Sequence, residues 1–286
     1  MHATLTPKRN TARSPGFTVG GTVALPSVLF GVAAWVVSTQ LSSSPALVGG
    51  TVVALFLLAF AWLASDASAC GMVRLSAMVP IFAVIQGVFA GVFIYDVYMN
   101  QYSTLRDGRT YSNVLAGSDA GSHADAGVLR FAGDVKVDTT QAVGYKDLYT
   151  YCAAPILAGA PGVVQYWAVG YECCEARGSM ECDGVGDPSA RTGVRVPEVE
   201  PLLFSVGFVG TQFYEYKRAV TMAEWEYGLH SAPDALFLRW TTGADALMNE
   251  LWVKGALLWV GEMVAFVVLS VFVLVVGTAG APAPSK

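Results

Sequence analysis

What this 286-residue chain has little of narrows it quickly. Only 14% of its residues are charged, and histidine occurs three times, at His2, His123 and His230. Soluble domains carry about 25% charged residues. So few histidines exclude a His-rich metal site. The sequence also has no H-E-x-x-H, no phosphate loop and no G-x-S-x-G, which removes the usual signatures of metallopeptidases, nucleotide hydrolases and α/β-hydrolases. It has no N-x-Ser/Thr sequon, so N-glycosylation is not expected. A net charge of −5 gives nucleic acid no electrostatic foothold as a partner. Nothing calls for a cofactor or a metal, and the chain reads as a non-enzyme.

What is present is apolar. Hydrophobic residues make up 54% of the chain and the mean hydropathy is +0.49. Four long apolar runs stand out, at 20–40, 46–65, 73–96 and 251–277. A helix rises about 1.5 Å per residue, so about 20 apolar residues cross the hydrocarbon core of a bilayer. The expected fold is therefore an α-helical integral membrane protein, a bundle of four transmembrane helices. Trp62, Tyr95, Tyr98 and Trp252 lie near run ends, where aromatic rings favour headgroup depth or simply pack. A cleaved signal peptide ending near Ser44-Pro45-Ala46 is the competing reading of the first run, which is long for that role.

Basic residues set the orientation. Lys8, Arg9 and Arg13 mark the tail 1–19, Arg74 the second link and Lys286 the tail 278–286. The positive-inside rule puts both termini in the cytoplasm and the polar insert 97–250 outside or in a lumen. The plasma membrane is the default location, with an endomembrane or plastid membrane as alternatives.

Two polar groups lie deep in the apolar runs, Gln86 in the third and Glu262 in the fourth. Such groups usually face other helices and find a partner, so a Gln86–Glu262 hydrogen bond is expected, as helix glue or as part of a proton or cation site. Gly87-x-x-x-Gly91 offers a small-residue face for close helix approach.

The insert carries 11 Lys and Arg against 19 Asp and Glu, a balance of −8, and is long enough to fold as a domain. Ser118–Gly127 reads as a flexible loop. VLRFAG, VKVDTTQAVGY, GVVQYWAVGYECC and TGVRVPEVEPLLFSVGFVG read as strands. Residues 219–251 read as helical, broken at Ser231-Ala232-Pro233 and running on into the fourth span. The expectation is an α+β domain.

Four of the five cysteines, Cys152, Cys173, Cys174 and Cys182, fall in this insert; Cys70 lies in the short second link. An even number in a non-cytoplasmic domain reads as two disulfides, with zinc as the alternative. A Cys173–Cys174 bridge would be strained, so these two are expected to bond separately to Cys152 and Cys182. Asp183 and Asp187 suggest a calcium loop at first sight, but their spacing does not match an EF-hand. His230 could pair with a carboxylate.

The layout resembles that of the tetraspanins. Both have four spans, a cysteine-bearing second link (Ser68–Gly71), polar groups such as Gln86 and Glu262 in the third and fourth spans, and an adjacent cysteine pair in the large loop, here Cys173-Cys174 followed by Glu175 where tetraspanins have glycine. Locally, TYCAAPIL and QYWAVGYECC look like a group of protist (alveolate-type) four-span membrane proteins with a WAVG-x-x-CC segment. That resemblance implies the same architecture and brings no activity. The expected function is a scaffold or recognition protein, its partners being the lipid bilayer and either other membrane proteins or further copies of itself. The alternatives are an oligomeric transporter or channel subunit using Glu262, and a disulfide-exchange enzyme at the vicinal cysteines.

Overall fold

The computed structural model describes residues 23–65, 72–159, 162–198 and 212–279. The basic tail, Cys70 and its link, and the C-terminal half of the expected strand region 192–210 lie outside the described residues. The chain forms two compact units.

The first unit takes its described residues from 23–37, 44–91 and 260–279. It contains most of helix α1 (Leu25–Gln40), helix α2 (Pro45–Ser65), most of α3 (Met72–Ile94), and the second half of a 36-residue helix, α6 (Ala244–Ala279). Three helices are long and apolar enough to cross a membrane: Pro45–Ala64, Met78–Asp107 and Ala244–Val276. They associate the chain with a membrane. The first apolar run is the exception among the four expected spans, because its described part is a helix of 16 residues, Leu25–Gln40.

Small residues let these helices approach. A Cβ on Gly87 would lie 2.6 Å from the Phe30 carbonyl oxygen, and one on Gly91 would lie 2.7 Å from that of Ala34. The two glycines, one turn apart on α3, thus bring its backbone against α1. Phe30 stacks on Phe266 of α6 with ring centroids 4.5 Å apart, while Leu55 and Ala59 bring α2 into the same core as Leu29, Ala33 and Val84. Elsewhere α2 and α6 expose Leu57, Leu58, Val264, Val268 and Phe272, the pattern of helices bathed in lipid rather than water.

The second unit spans 38–43 and 92–259. After α3 the helix continues through a π-turn (Tyr95–Met99) into α4 (Asn100–Asp107), well beyond the expected boundary at 96. The body is a mixed sheet. Its strands are β1 (Arg109–Val114), β2 (Ala126–Phe131), β3 (Lys136–Val137), β4 (Val143–Lys146), β5 (Thr150–Leu157), β6 (Val163–Tyr171), β7 (Thr192–Arg195) and β8 (His230–Thr241). Their order is β1-β2-β7-β8-β6-β5-β3, with β4 also paired to β5. β6 and β8 are parallel neighbours, whereas β5 and β6 are antiparallel.

Both faces of the central strands are buried, and side chains alternate between them. Tyr151, Ala153, Trp167, Val169 and Phe237 pack against helix α5 (Phe213–Tyr227). Cys152, Ala154, Tyr166, Leu236 and Leu238 point into a second core under the loops. Trp167 is fully buried and donates its indole N–H to Ser231 Oγ at 2.9 Å.

Two expectations need correction here. The helix expected from 219 onward ends at Gly228, which takes the left-handed conformation (φ 66°). Most of the residues after it, 230–241, form β8 in the middle of the sheet. Pro233 is tolerated because it sits in a bulge: Val164 pairs with Ser231, yet Tyr166 pairs with Leu236. The expected flexible loop 118–127 is ordered by a short 3₁₀ turn (Ala120–His123) whose Ala120 is buried in the second core.

Candidate functional site

The four cysteines of the insert form two disulfides, Cys152–Cys174 and Cys173–Cys182. The adjacent pair therefore bonds outward in opposite directions. Cys152 is the third residue of β5, and its register neighbours are Gly144 on β4 and Gly170 on β6. Neither glycine could carry a side chain. A Cβ at Gly170 would lie 2.6 Å from Cys182 Cβ and 2.9 Å from Cys173 Sγ, and one at Gly144 would lie 2.5 Å from the Glu175 carbonyl oxygen and 3.0 Å from Cys174 Sγ. The row Gly144–Cys152–Gly170 is a trough in the sheet that admits the cysteine hairpin. Sulfurs of Cys152, Cys173 and Cys182 lie within 4.8 Å of one another, but all three are tied in disulfides and offer no thiolate to zinc.

Two residues flanking the second bridge, Glu172 (φ 53°) and Asp183 (φ 47°), hold the left-handed conformation that side chains disfavour. Both are fixed by side-chain bonds. Glu172 Oε1 accepts the Thr150 N–H at 2.6 Å, and Asp183 accepts Arg239 Nε and Nη2 at 2.9 and 2.7 Å. The Asp183–Arg239 pair is half-buried and two-pronged, the strong geometry for a guanidinium. Burial works against the Arg239 charge, but the hydrogen bonds and the charge of Asp183 outweigh it and hold its pKa above the ordinary arginine value. Asp187 instead accepts from the Ser189 hydroxyl and backbone N–H at 2.7 and 2.8 Å, which lowers its pKa. The two aspartates are thus occupied separately and form no calcium loop.

Beside this bridge lies a cavity of about 360 Å³. Asp96 and Gln101 line it from the π-turn and α4, Tyr171 from the end of β6, Tyr216 from α5, and Arg239 from β8. Asp96 is only 6% exposed. Gln101 Nε2 is a buried donor with no acceptor. Tyr216 is buried and donates its hydroxyl to Gln212 Oε1 at 2.7 Å, and burial pushes its pKa well above the ordinary tyrosine value.

A second surface feature lies on α5. Its inner side packs Phe213, Tyr216, Ala219, Val220 and Ala223 against the sheet. Its outer side presents Tyr214, Arg218, Met222 and Trp225 at helical spacing, and Trp225 is 86% exposed. Arg218 sits over the Tyr145 ring at 5.9 Å and pairs with Glu215 at 3.0 Å.

The intramembrane groups do not meet as expected. Gln86 is exposed on α3, whereas Glu262 Oε2 is buried without a hydrogen-bond partner. Position along each apolar run can be read from sequence, whereas the rotational phase of each helix cannot. Among the described histidines, His230 is exposed at the start of β8. The clustered one is His123, whose Nδ1 lies 3.0 Å from the Tyr166 hydroxyl and whose ring meets Tyr111 edge-on. Sequence reasoning missed the cavity and the Asp183–Arg239 pair, because partners 56 residues apart leave no local signal.

Set against known proteins, the chain matches no family model, no curated protein and no solved structure.

Proposed function

We propose that the chain is a non-enzymatic recognition or scaffold subunit, held in a membrane by four apolar helices, with its disulfide-bearing sheet domain outside the cytoplasm. The observation that carries this reading is the outer side of α5. Trp225, Met222 and Tyr214 stand in the open on a helix whose inner side already supplies its packing. Tryptophan, tyrosine and arginine are the residues most enriched at energetic centres of protein interfaces. An exposed indole with Met222 and Tyr214 along the same side of the helix suits a partner protein with an apolar pocket. Two disulfides agree with an oxidising compartment, where such bonds persist.

The test is capture of partners from gently solubilised membranes with the full-length chain and with Trp225→Ala. Because Trp225 makes little contact with its own domain, the variant folds normally. A reproducible partner set that drops at least tenfold with Trp225→Ala supports the reading. An unchanged set contradicts it.

One observation favours a second reading, an oligomeric transporter or channel subunit: the buried Glu262 carboxylate, whose Oε2 has no hydrogen-bond partner. Intramembrane carboxylates of this kind mark ion and proton paths. In reconstituted vesicles this reading predicts pH-dependent flux that Glu262→Gln abolishes. Equal flux in both proteins removes it.

A further inference from the structure

We infer that the two disulfides form one exchange unit: a dithiol that reduces the domain by two electrons leaves Cys152 re-bonded to Cys182 and frees Cys173 and Cys174 as a vicinal pair of thiols. This depends neither on the α5 surface nor on Glu262.

The sheet gives Cys152 two partners within reach. Its register neighbours are Gly144 on β4 and Gly170 on β6. Directly opposed side chains on neighbouring strands stand about 4.5–5.5 Å apart at Cβ. Neither glycine supplies a side chain there, and cysteines of the hairpin take the place. Cys174 Sγ lies 3.0 Å from where Gly144 would carry a Cβ, and Cys182 Cβ lies 2.6 Å from where Gly170 would. Cys152 therefore stands between Cys174 on one flank and Cys182 on the other. It is bonded to the first, while its Sγ and those of Cys173 and Cys182 all lie within 4.8 Å of one another.

Exposure sets the order of events. Cys152 and Cys182 are buried, whereas Cys173 and Cys174 are partly open. One thiolate of the dithiol attacks Cys173 Sγ, forms a mixed disulfide and expels Cys182 as a thiolate. Cys182 then attacks Cys152 Sγ, which forms the Cys152–Cys182 bond and expels Cys174, and Cys174 takes a proton from water. The second thiol of the dithiol attacks its partner sulfur in the mixed disulfide, closes the reductant's own disulfide and releases Cys173, which is protonated in turn. The domain gains two electrons and two protons, and the dithiol loses them. Entry at Cys174 reaches the same product, because the expelled Cys152 then attacks Cys182 and releases Cys173.

Two further observations favour that product. The thiols it frees are the partly open ones, which water solvates when they ionise, whereas keeping either original bridge leaves one thiol buried. Cys152–Cys182 also closes a longer loop than the bridges it replaces, which join cysteines 22 and 9 residues apart, and a longer loop constrains the unfolded chain more. Meanwhile the hairpin keeps its seat through bonds that involve no sulfur. Glu181 donates its N–H to the Cys173 carbonyl at 2.8 Å, and Arg239 holds Asp183 at 2.7 Å.

The test treats the full-length chain in detergent with substoichiometric dithiothreitol, quenches in acid, alkylates free thiols and maps peptides without reduction. Cleavage after Tyr171 and Arg177 puts Cys152, the Cys173-Cys174 pair and Cys182 on separate peptides. The expected one-bridge species carries a Cys152–Cys182 link, absent before treatment, with Cys173 and Cys174 alkylated, and exceeds species that keep an original bridge about tenfold. The same reduction in denaturant should erase that preference. One-bridge species that keep an original bridge, passage straight to four free thiols, or an equal preference in denaturant overturns the proposal.

Discussion

At the scale of single residues, the glycine–cysteine–glycine row across β4, β5 and β6 carries the sharpest consequence. Cys152 sits between two positions where even a methyl group would collide with the cysteine hairpin. Gly170→Ala is expected to keep Cys173–Cys182 from closing. The loss should be about 2–4 kcal/mol of domain stability, the usual contribution of a disulfide. Gly133→Ala, where the added Cβ meets nothing within 4 Å, should be close to neutral. Alkylation of free thiols followed by peptide mass spectrometry, alongside thermal unfolding in detergent, checks both. Tyr216 gives a pH-dependent counterpart. Burial raises its folded pKa above the unfolded value of about 10, so its neutral form favours the fold. That advantage is constant below pH 10 and is lost as pH climbs above it toward the folded pKa. Tyr216→Phe gives up the bond to Gln212, about 1 kcal/mol at pH 8. Above pH 10 the gap should shrink and then reverse, since phenylalanine has no proton to lose. Thermal midpoints of the two proteins between pH 8 and 11 test this sign.

At the scale of elements, the helices and the strands were legible to different degrees. The apolar runs of α2, α3 and α6 announce themselves, because lipid-facing helices need length and hydrophobicity and little else. The strands β6 and β7 were visible as β-branched and aromatic segments. By contrast, β8 read as a helix and β5 was seen as a motif rather than a strand. β5 is buried over six consecutive residues, and β8 flanks its buried Leu236–Leu238 with polar Asp234 and Arg239, so neither shows a clean period of two that would separate a strand from a helix. What decided β8 was tertiary: parallel pairing with β6 on one side and antiparallel pairing with β7 on the other. Sequence leaves open which of Cys152 and Cys182 each adjacent cysteine takes, but their separate bonding followed from the cysteine count and the strain of a vicinal bridge. The cavity did not, because its walls come from five separate elements. Packing of α1 on α3 offers an element-scale prediction. Gly87→Val drives a side chain into the Phe30 backbone and should lower thermal stability in detergent, whereas Gly261→Val on α6, facing open space, should not. Equal melting of the two variants would show that the small-residue face does not hold these helices.

At the scale of the whole molecule, helices long and apolar enough to cross a membrane belong to the same chain as a sheet domain stapled twice by disulfides. The proposed recognition role requires that this domain mature in an oxidising compartment, since cytosolic thiols stay reduced. The most direct measurement is the in-cell redox state of the five cysteines. Cells are quenched in acid, free thiols are alkylated, and cysteine peptides are mapped by mass spectrometry without reduction. The account predicts linked peptides for Cys152–Cys174 and Cys173–Cys182, with Cys70 alkylated on the cytoplasmic side. Alkylation of all four insert cysteines would place the sheet domain in a reducing compartment and contradict it.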